Sequence, residues 1–383
     1  MNKGKVLILS EKFGTGHEMA AAAISKGIKK LSPQTEVSVI NFFQYFQPYL
    51  SRMTLKLYLK ALDFTPEIWG YFYERERNRK RATMTKKMLQ MGASFILREI
   101  MEREKPDVVV CTHPFPCCVA SRLKRKGLSV PVAAVITDFD VHGFWINEGI
   151  DAYIIAHESM IKPMIRFGVD PGKIYATGIP IDPHYDIFKN KTTAKKSLGF
   201  EEDLPVILIA GGGLGLNGPD RKFVETLAKN PVQLAVICGK NKFARHDLEE
   251  MKSKKGIENI KVYGFVENMW DFMKAADLII TKAGGLTIAE ALASELPIII
   301  YNPLPGQEER NTRFLLRNGS ARYARDRETL LKTVKDMLSD EEKLMRMKDH
   351  EIQLKKTGSA EKAGEVILSL MRKKDMIKKM AIN

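Results

Sequence analysis

Apolar runs alternate with helix-like segments along the first half of the chain. Five runs rich in valine and isoleucine are predicted as strands, at 5–10, 35–43, 106–114, 131–139 and 151–157. Near-continuous apolar runs of this kind are typical of strands buried on both faces of a parallel sheet. Helix-like segments lie between them, among them 17–30 and 86–105. The pattern predicts a domain built from βαβ units.

The second half repeats this scheme after a polar stretch at 186–203. Its predicted strands are 204–213, 232–240, 259–266, 276–285 and 296–303. We therefore expect an α/β protein with two doubly wound, Rossmann-like domains and a cleft between them. The expected boundaries are 1–190 and 200–360, with a helical tail at 361–383 that packs back on the N-terminal domain.

Composition narrows the class of protein. The chain has 383 residues, 44% of them hydrophobic and 28% charged, which are ordinary globular values. It contains no apolar run of about 20 residues, and Glu11 and Lys12 interrupt the first apolar segment, so we expect neither a membrane span nor a signal peptide. Its four cysteines have no CxxC spacing and read as reduced thiols, which favours a cytoplasmic protein.

The net charge of +15 favours a polyanionic partner. Nucleic acid and an anionic membrane surface both fit, as does a basic surface that only keeps the protein soluble. The sequence shows no helix-turn-helix, zinc-finger or RNP-like motif, so we expect no nucleic acid partner.

Glycine-rich turns follow several strands of the second half, where open α/β sheets bind ligands. GGGLGLNG contains G-x-G-x-x-G from Gly213, but the next strand ends in CGK and lacks the acidic residue of a dinucleotide site. The loop therefore favours a phosphate or a sugar over NAD.

The stretch AGGLTIAEA is more specific. Gly284 and Gly285 let the backbone approach a ligand, and Thr287 is predicted to cap the next helix, whose N-terminus favours an anion. Glu290 can accept two hydrogen bonds from a ribose diol, although a plain helix cap with a solvated glutamate fits too. In PLPGQEERN, Gln307 and Glu308 offer donors and acceptors to sugar hydroxyls, or form an ordinary polar loop.

Polar motifs also follow the strands of the first half. FGTGH places His17 at the start of a helix, where it can act in chemistry or only cap the helix. TDFDVHGFW supplies Asp138, His142 and Trp145. Asp138 and Asp140 resemble a metal-binding DxD, but they lie in the half without the nucleotide-like loops, so we expect no metal there and Asp138 to orient a catalytic group.

Together these motifs resemble a known family. TGH, TDxxxHxxW and TKAGGLTIAEA, with PGQE and Asn311, are similar to the monogalactosyldiacylglycerol synthase and processive diacylglycerol glucosyltransferase group of glycosyltransferase family 28. More distantly they resemble the N-acetylglucosaminyltransferase that completes the lipid-linked peptidoglycan precursor. The likeness runs from about residue 4 to about residue 365. It implies a GT-B fold, a UDP-sugar as substrate, inversion at the anomeric carbon, no cofactor and no active-site metal.

The resemblance also assigns roles to residues. It implies His17 as the base, with Asp138 as the alternative, and it places Gly14, Gly16, His142 and Trp145 on the acceptor side. For UDP it implies Glu290 at the ribose, the backbone around Phe265 at uracil and Gly284–Thr287 at the diphosphate, with Gln307 and Glu308 at the donor sugar. FGTGH lacks an extra glycine or asparagine that many relatives have, which leaves the contacts of this loop open.

An apolar and then basic segment at 41–87 interrupts the strand and helix pattern. Aromatic residues followed by a basic cluster are typical of a protein that binds a membrane surface, although two helices with a solvated basic face fit as well. The membrane contact is predicted at Phe64, Trp69, Arg77, Arg79, Lys80 and Arg81.

The favoured function is transfer of a hexose from UDP-glucose or UDP-galactose to a lipid such as diacylglycerol. With that function we expect peripheral association with an anionic membrane, at the inner face of the cell membrane. Two alternatives stay open: a UDP-sugar transferase with a small soluble acceptor, and a non-catalytic sugar-nucleotide-binding protein.

Overall fold

The computed structural model describes residues 4–11, 15–42, 44, 84–213, 215 and 220–380, and it describes their side chains except at 84–92 and 373–380. Gly14 and the predicted membrane contact lie outside the described residues. The chain divides into an N-terminal unit, Met1–Pro183 with Gly358–Asn383, and a C-terminal unit, His184–Thr357.

The N-terminal unit is built on a six-stranded parallel sheet with the order β2-β1-β3-β4-β5-β6. Its elements are β1 (Lys5–Ser10), α1 (Gly16–Leu31), β2 (Glu36–Asn41), α2 (Met84–Glu104), β3 (Val108–Cys111), α3 (Pro114–Arg125), β4 (Val132–Val135), β5 (Ala152–Ile154), α4 (Ile161–Arg166) and β6 (Ile174–Tyr175). The strand order reverses between β1 and β3, so the loops after these two strands flank the switch point where such sheets bind ligands.

The C-terminal unit has a second six-stranded parallel sheet, with the order β12-β11-β10-β7-β8-β9. Its elements are α5 (Lys191–Ser197), β7 (Val206–Ala210), α6 (Arg221–Leu227), β8 (Gln233–Ile237), α7 (Lys242–Lys255), β9 (Ile260–Tyr263), α8 (Met269–Ala275), β10 (Leu278–Thr281), α9 (Gly285–Ala293), β11 (Ile298–Tyr301), α10 (Gln307–Arg317), β12 (Ala321–Ala324), α11 (Arg327–Leu338) and α12 (Glu341–Leu354). Here the order reverses between β7 and β10.

The last helix, α13 (Ser359–Met380), belongs to the N-terminal unit and packs on α1. Two glycines make this approach close. A Cβ at Gly27 would stand 2.3 Å from the carbonyl oxygen of Ala360, and a Cβ at Gly364 would stand 3.3 Å from the backbone nitrogen of Ile28. Ala363 and Ile367 of α13 join Ile24 and Ile28 in the same apolar core.

The predicted α/β class with two doubly wound sheets is confirmed. All ten predicted strands are present. The first has the predicted bounds, and the other nine are shorter because apolar residues beyond the strand ends, such as Ile136 and Ala283, are buried in loops. Two strands in the described part of the chain were not predicted: β6 has only two residues, and β12 carries exposed Arg322 and Tyr323 at its centre.

The polar stretch at 186–203 is more ordered than a simple linker. It contains α5, and the ammonium of Lys195 is buried there. This ammonium donates to the carbonyls of Glu202 and Leu204 at 3.0 and 2.8 Å and pairs with Asp277 at 3.3 Å. These contacts fix the stretch to the C-terminal unit. Among the described helices, none combines the length and the apolar character that crossing a membrane requires.

Candidate active site

His17 lies at the switch point of the N-terminal sheet. It is the second residue of α1, directly beyond β1, and β1 pairs with β3 so that the backbone nitrogen of Thr112 donates to the carbonyl of Leu9 at 3.1 Å. This pairing brings the carbonyl oxygen of Thr112 to 2.7 Å from Nδ1 of His17. The hydroxyl of Thr137, just beyond β4, lies 3.0 Å from the same nitrogen.

These contacts fix the tautomer of His17. A carbonyl oxygen only accepts hydrogen bonds, so Nδ1 carries the proton and donates it, and the lone pair is on Nε2. The described residues make no hydrogen bond to Nε2. Burial lowers the pKa of His17 to about 4, because desolvation disfavours the imidazolium more than the Thr112 carbonyl stabilises it. At neutral pH His17 is therefore an uncharged imidazole that can accept a proton at Nε2.

His113 is a neighbour that the sequence analysis did not assign to the site. Its ring meets that of His17 edge to face, with centroids 4.8 Å apart. As the N-cap of α3, its Nδ1 accepts from the backbone nitrogen of Phe115 at 3.2 Å. Burial, and then repulsion by His17 and His142, hold the pKa of His113 well below its ordinary value. The sequence feature that could have pointed to His113 is its place in CTHP, directly after a predicted strand.

Most residues of TDFDVHGFW are buried in the loop after β4. Asp138 and His142 are buried, and Trp145 is 1% exposed, with its ring centroid 6.4 Å from that of His142. The acceptors that orient the Nδ1–H group of His17 are the carbonyl of Thr112 and the hydroxyl of Thr137. The role of Asp138, as orienting group or alternative base, stays a prediction, as do the acceptor-side roles of Gly16, His142 and Trp145.

The loop from Gly213 packs on the neighbouring turn of its own unit. The backbone nitrogen of Lys240 donates to the carbonyl of Gly213 at 3.0 Å, and a Cβ at Gly215 would stand 1.9 Å from the carbonyl oxygen of Cys238. Close backbone packing thus explains Gly215. Beyond β9, the ring of Phe265 is half-exposed, with the ammonium of Lys240 at 5.7 Å from its centroid.

At the turn after β10, the helix cap differs from the prediction. Gly284 is the N-cap of α9, and Thr287 is the third residue of the helix, so the prediction that Thr287 caps it is wrong. The cause is the extended backbone of Gly284, which starts the helix earlier and offers no side chain to its first amides. Those amides therefore receive no hydrogen bond from an N-cap side chain. Gly285 begins the helix, and Glu290 is buried one turn further along it.

Glu308 is held by the loops around it. One carboxylate oxygen pairs with the ammonium of Lys282 at 2.8 Å, and the other accepts from the backbone nitrogen of Leu304 at 2.7 Å. Gln307 is the first residue of α10, after Gly306 in the left-handed region at φ +87°. Buried Asn311 donates to the carbonyl of Ala283 at 2.9 Å and so ties α10 to the glycine turn. Lys282 was not among the predicted site residues.

Comparison with known proteins identifies the family. The monogalactosyldiacylglycerol (MGDG) synthase family matches residues 17–181, and the glycosyltransferase family 28 C-terminal domain matches residues 206–363. A processive diacylglycerol beta-glucosyltransferase of Bacillus mycoides (strain KBAB4) is 32% identical over 372 residues, which cover 96% of this chain and 93% of that protein. The chain belongs to the MGDG synthase family of glycosyltransferases.

A second curated relative agrees with this family, and a solved structure agrees with the fold. The processive diacylglycerol beta-glucosyltransferase of Bacillus subtilis (strain 168) is 32% identical over 373 residues, covering 96% of each chain. The crystal structure of Acinetobacter baumannii MurG has a TM-score of 0.63 at 16% identity and covers 96% of this chain and 100% of its own. The predicted resemblance and the predicted GT-B fold are both confirmed.

Proposed function

We propose that this chain transfers a hexose from UDP-glucose or UDP-galactose to the hydroxyl of diacylglycerol or a similar lipid, with inversion at the anomeric carbon. The choice of acceptor is supported by relatives named for diacylglycerol that match 96% of the chain. The reaction takes place at a membrane surface, at the inner face of the cell membrane. It uses no cofactor and no metal ion.

The observation that carries the chemistry is the fixed tautomer of His17. Because Nδ1 donates to the carbonyl of Thr112, Nε2 is the atom that accepts the proton of the acceptor hydroxyl. The oxygen attacks the anomeric carbon as the bond from that carbon to UDP breaks. The proton ends on His17 and the negative charge on UDP, so the step balances. The hydroxyl of Thr137 at Nδ1 stabilises the imidazolium that forms.

The C-terminal unit supplies the donor site in this proposal. The first amides of α9 and the positive end of its dipole stabilise the diphosphate as it leaves. Glu290 holds the ribose, and the backbone around Phe265 contacts uracil. Gln307, at the start of α10, contacts the hydroxyls of the hexose.

The test is transfer of radiolabel from UDP-glucose and from UDP-galactose to vesicles that contain diacylglycerol, followed by lipid extraction. We expect one donor to label a lipid whose new anomeric proton has a β coupling in its NMR spectrum. Label should persist with EDTA and be lost in Glu290→Ala, whose UDP affinity falls at least about tenfold because hydrogen bonds to a charged group are lost. If neither donor labels a lipid, the proposal is rejected, whether or not free hexose is released.

A further inference from the structure

Lys282 stands at the switch point of the C-terminal sheet without a role in the site as described so far. It follows β10 directly, and β10 pairs with β7 where the strand order reverses. Its side chain is only 16% exposed, and its ammonium lies 2.8 Å from Glu308 Oε1. A lysine so enclosed needs acceptors for all three of its N–H groups.

Glu308 satisfies only one of these N–H groups. Its second oxygen accepts from the backbone nitrogen of Leu304 at 2.7 Å, so the carboxylate is anchored from both sides. The described residues supply no further acceptor to the ammonium of Lys282. The ammonium of Lys282 is therefore fixed in position by Glu308, and two of its N–H groups have no acceptor among the described residues.

Two glycines line the space around this pair. A Cβ at Gly212, in the loop after β7, would stand 3.1 Å from Cε of Lys282. A Cβ at Gly284, the N-cap of α9, would stand 3.9 Å from Glu308 Oε1. The free amides at the start of α9 begin at the next residue. Lys282 thus lies two residues before the N-cap of α9. A cation so close in sequence to a helix N-terminus suits the binding of a phosphate group.

We propose that Lys282 contacts the diphosphate of the donor directly, and that Glu308 is the residue that positions it. This inference rests on the proposed function, since it takes the donor to be a UDP-sugar. It gives Glu308 a different task from contact with the sugar. It also places a positive charge where the charge of the leaving UDP develops.

The experiment measures the affinities of UDP and of uridine by calorimetry. Lys282→Met keeps the length of the side chain and removes the charge, and we expect it to weaken UDP about 10- to 100-fold, the range for hydrogen bonds to a charged group. Uridine, which has no phosphate, should keep its affinity. Lys282→Arg should lose less than Lys282→Met. The control is Lys196→Met, which removes an exposed charge of the same unit, paired with Glu202.

The positioning role of Glu308 is tested by a double-mutant cycle. Lys282→Met and Glu308→Gln should be non-additive in UDP affinity and additive in uridine affinity, and additivity in both would overturn this role. Equal losses of UDP and uridine in Lys282→Met would show a merely structural lysine. Unchanged UDP affinity would overturn the phosphate contact while the proposed function stands. Failure of the wild type to bind UDP would instead reject the proposed function, and this inference with it.

Discussion

At the scale of single residues, His17 shows how a backbone carbonyl sets the chemistry of a side chain. The carbonyl of Thr112 fixes the proton on Nδ1, and burial then keeps the ring uncharged. His113, whose pKa is depressed as well, stays neutral beside it, so a proton gained by His17 meets no neighbouring imidazolium. The site is therefore prepared to accept one proton.

This arrangement predicts how the rate depends on pH. The pKa of His17 is about 4, below its ordinary 6.5, so the fraction of neutral base stays near its maximum as pH falls through 6.5 and declines only toward 4. We expect kcat/KM to follow the same curve, measured with subsaturating donor while circular dichroism confirms the fold at each pH.

His17→Ala should lower turnover by about 10²–10⁴ at neutral pH. An acid limb near 6.5 that disappears in His17→Ala would contradict the argument, and exposed His246→Ala serves as the control.

The sequence could predict those site residues that belong to a recognisable motif. His17, Glu290 and Gln307 stand in motifs that follow apolar runs, so their places at strand ends were predictable. The carbonyl of Thr112 and the hydroxyl of Thr137 were not, since they reach His17 through strand pairing over 95 and 120 positions. The pair of Lys282 and Glu308 depends in the same way on two neighbouring strands.

At the scale of elements, most strands were predictable because burial on both faces gives a near-continuous apolar run, whereas β6 and β12 lack such a run. Helix caps and polar burial were less so. Helix α9 starts where it does because of the backbone conformation of Gly284, and a glycine has no capping side chain by which the sequence could indicate this start. Helix α12 buries Glu351 completely, and neither of its carboxylate oxygens has a hydrogen-bond partner among the described residues. The sequence of α12 has the polar pattern of a surface helix, which does not indicate that Glu351 is buried.

Glu351 makes the stability of the C-terminal unit depend on pH. Burial, and repulsion by Glu295, raise the pKa of Glu351 well above its ordinary 4.5, against the opposing effect of Lys348. A carboxyl whose folded pKa is raised stabilises the fold below the ordinary pKa, and this stabilisation is lost as pH rises through the folded value. Glu351→Met should therefore raise the melting temperature more at pH 8 than at pH 5. The free energy of unfolding should rise by about 1–3 kcal/mol, because that is what leaving a buried polar group without a hydrogen-bond partner costs.

The matched control for this prediction lies on the same helix. Glu342 is exposed and pairs with Arg346 one turn away, so Glu342→Met should change the free energy of unfolding by only a few tenths of a kcal/mol at either pH. Equal melting shifts for Glu351→Met at pH 5 and pH 8 would show that its carboxyl does not titrate as argued. A lower melting temperature at pH 8 would show that the carboxylate has a favourable partner.

At the scale of the whole molecule, the duplication of one architecture was predictable from the repeated alternation of apolar runs and helix-like segments. The last helix returns to the N-terminal unit because Gly27 and Gly364 admit its backbone against α1, a fit set by residues more than 300 positions apart. The net charge of +15 is likewise a property of the entire chain. It is the charge that a protein acting on lipids can use at an anionic surface.

The basic cluster outside the described residues gives the last prediction. Arg77, Arg79, Lys80 and Arg81, changed together to glutamine, should weaken sedimentation with anionic vesicles, since each basic residue near the surface contributes about 1 kcal/mol. The difference from wild type should shrink as salt rises, because screening shortens the reach of every charge. Binding to neutral vesicles should change little, because the predicted membrane contact assigns the apolar contribution to the aromatic residues around Trp69. Exposed Lys222, Lys229, Lys332 and Lys335 of the C-terminal unit, changed likewise, are a control with the same loss of four charges. If both quadruple variants bind anionic vesicles equally at low salt, binding depends on net charge alone, and the cluster is a solvated basic face.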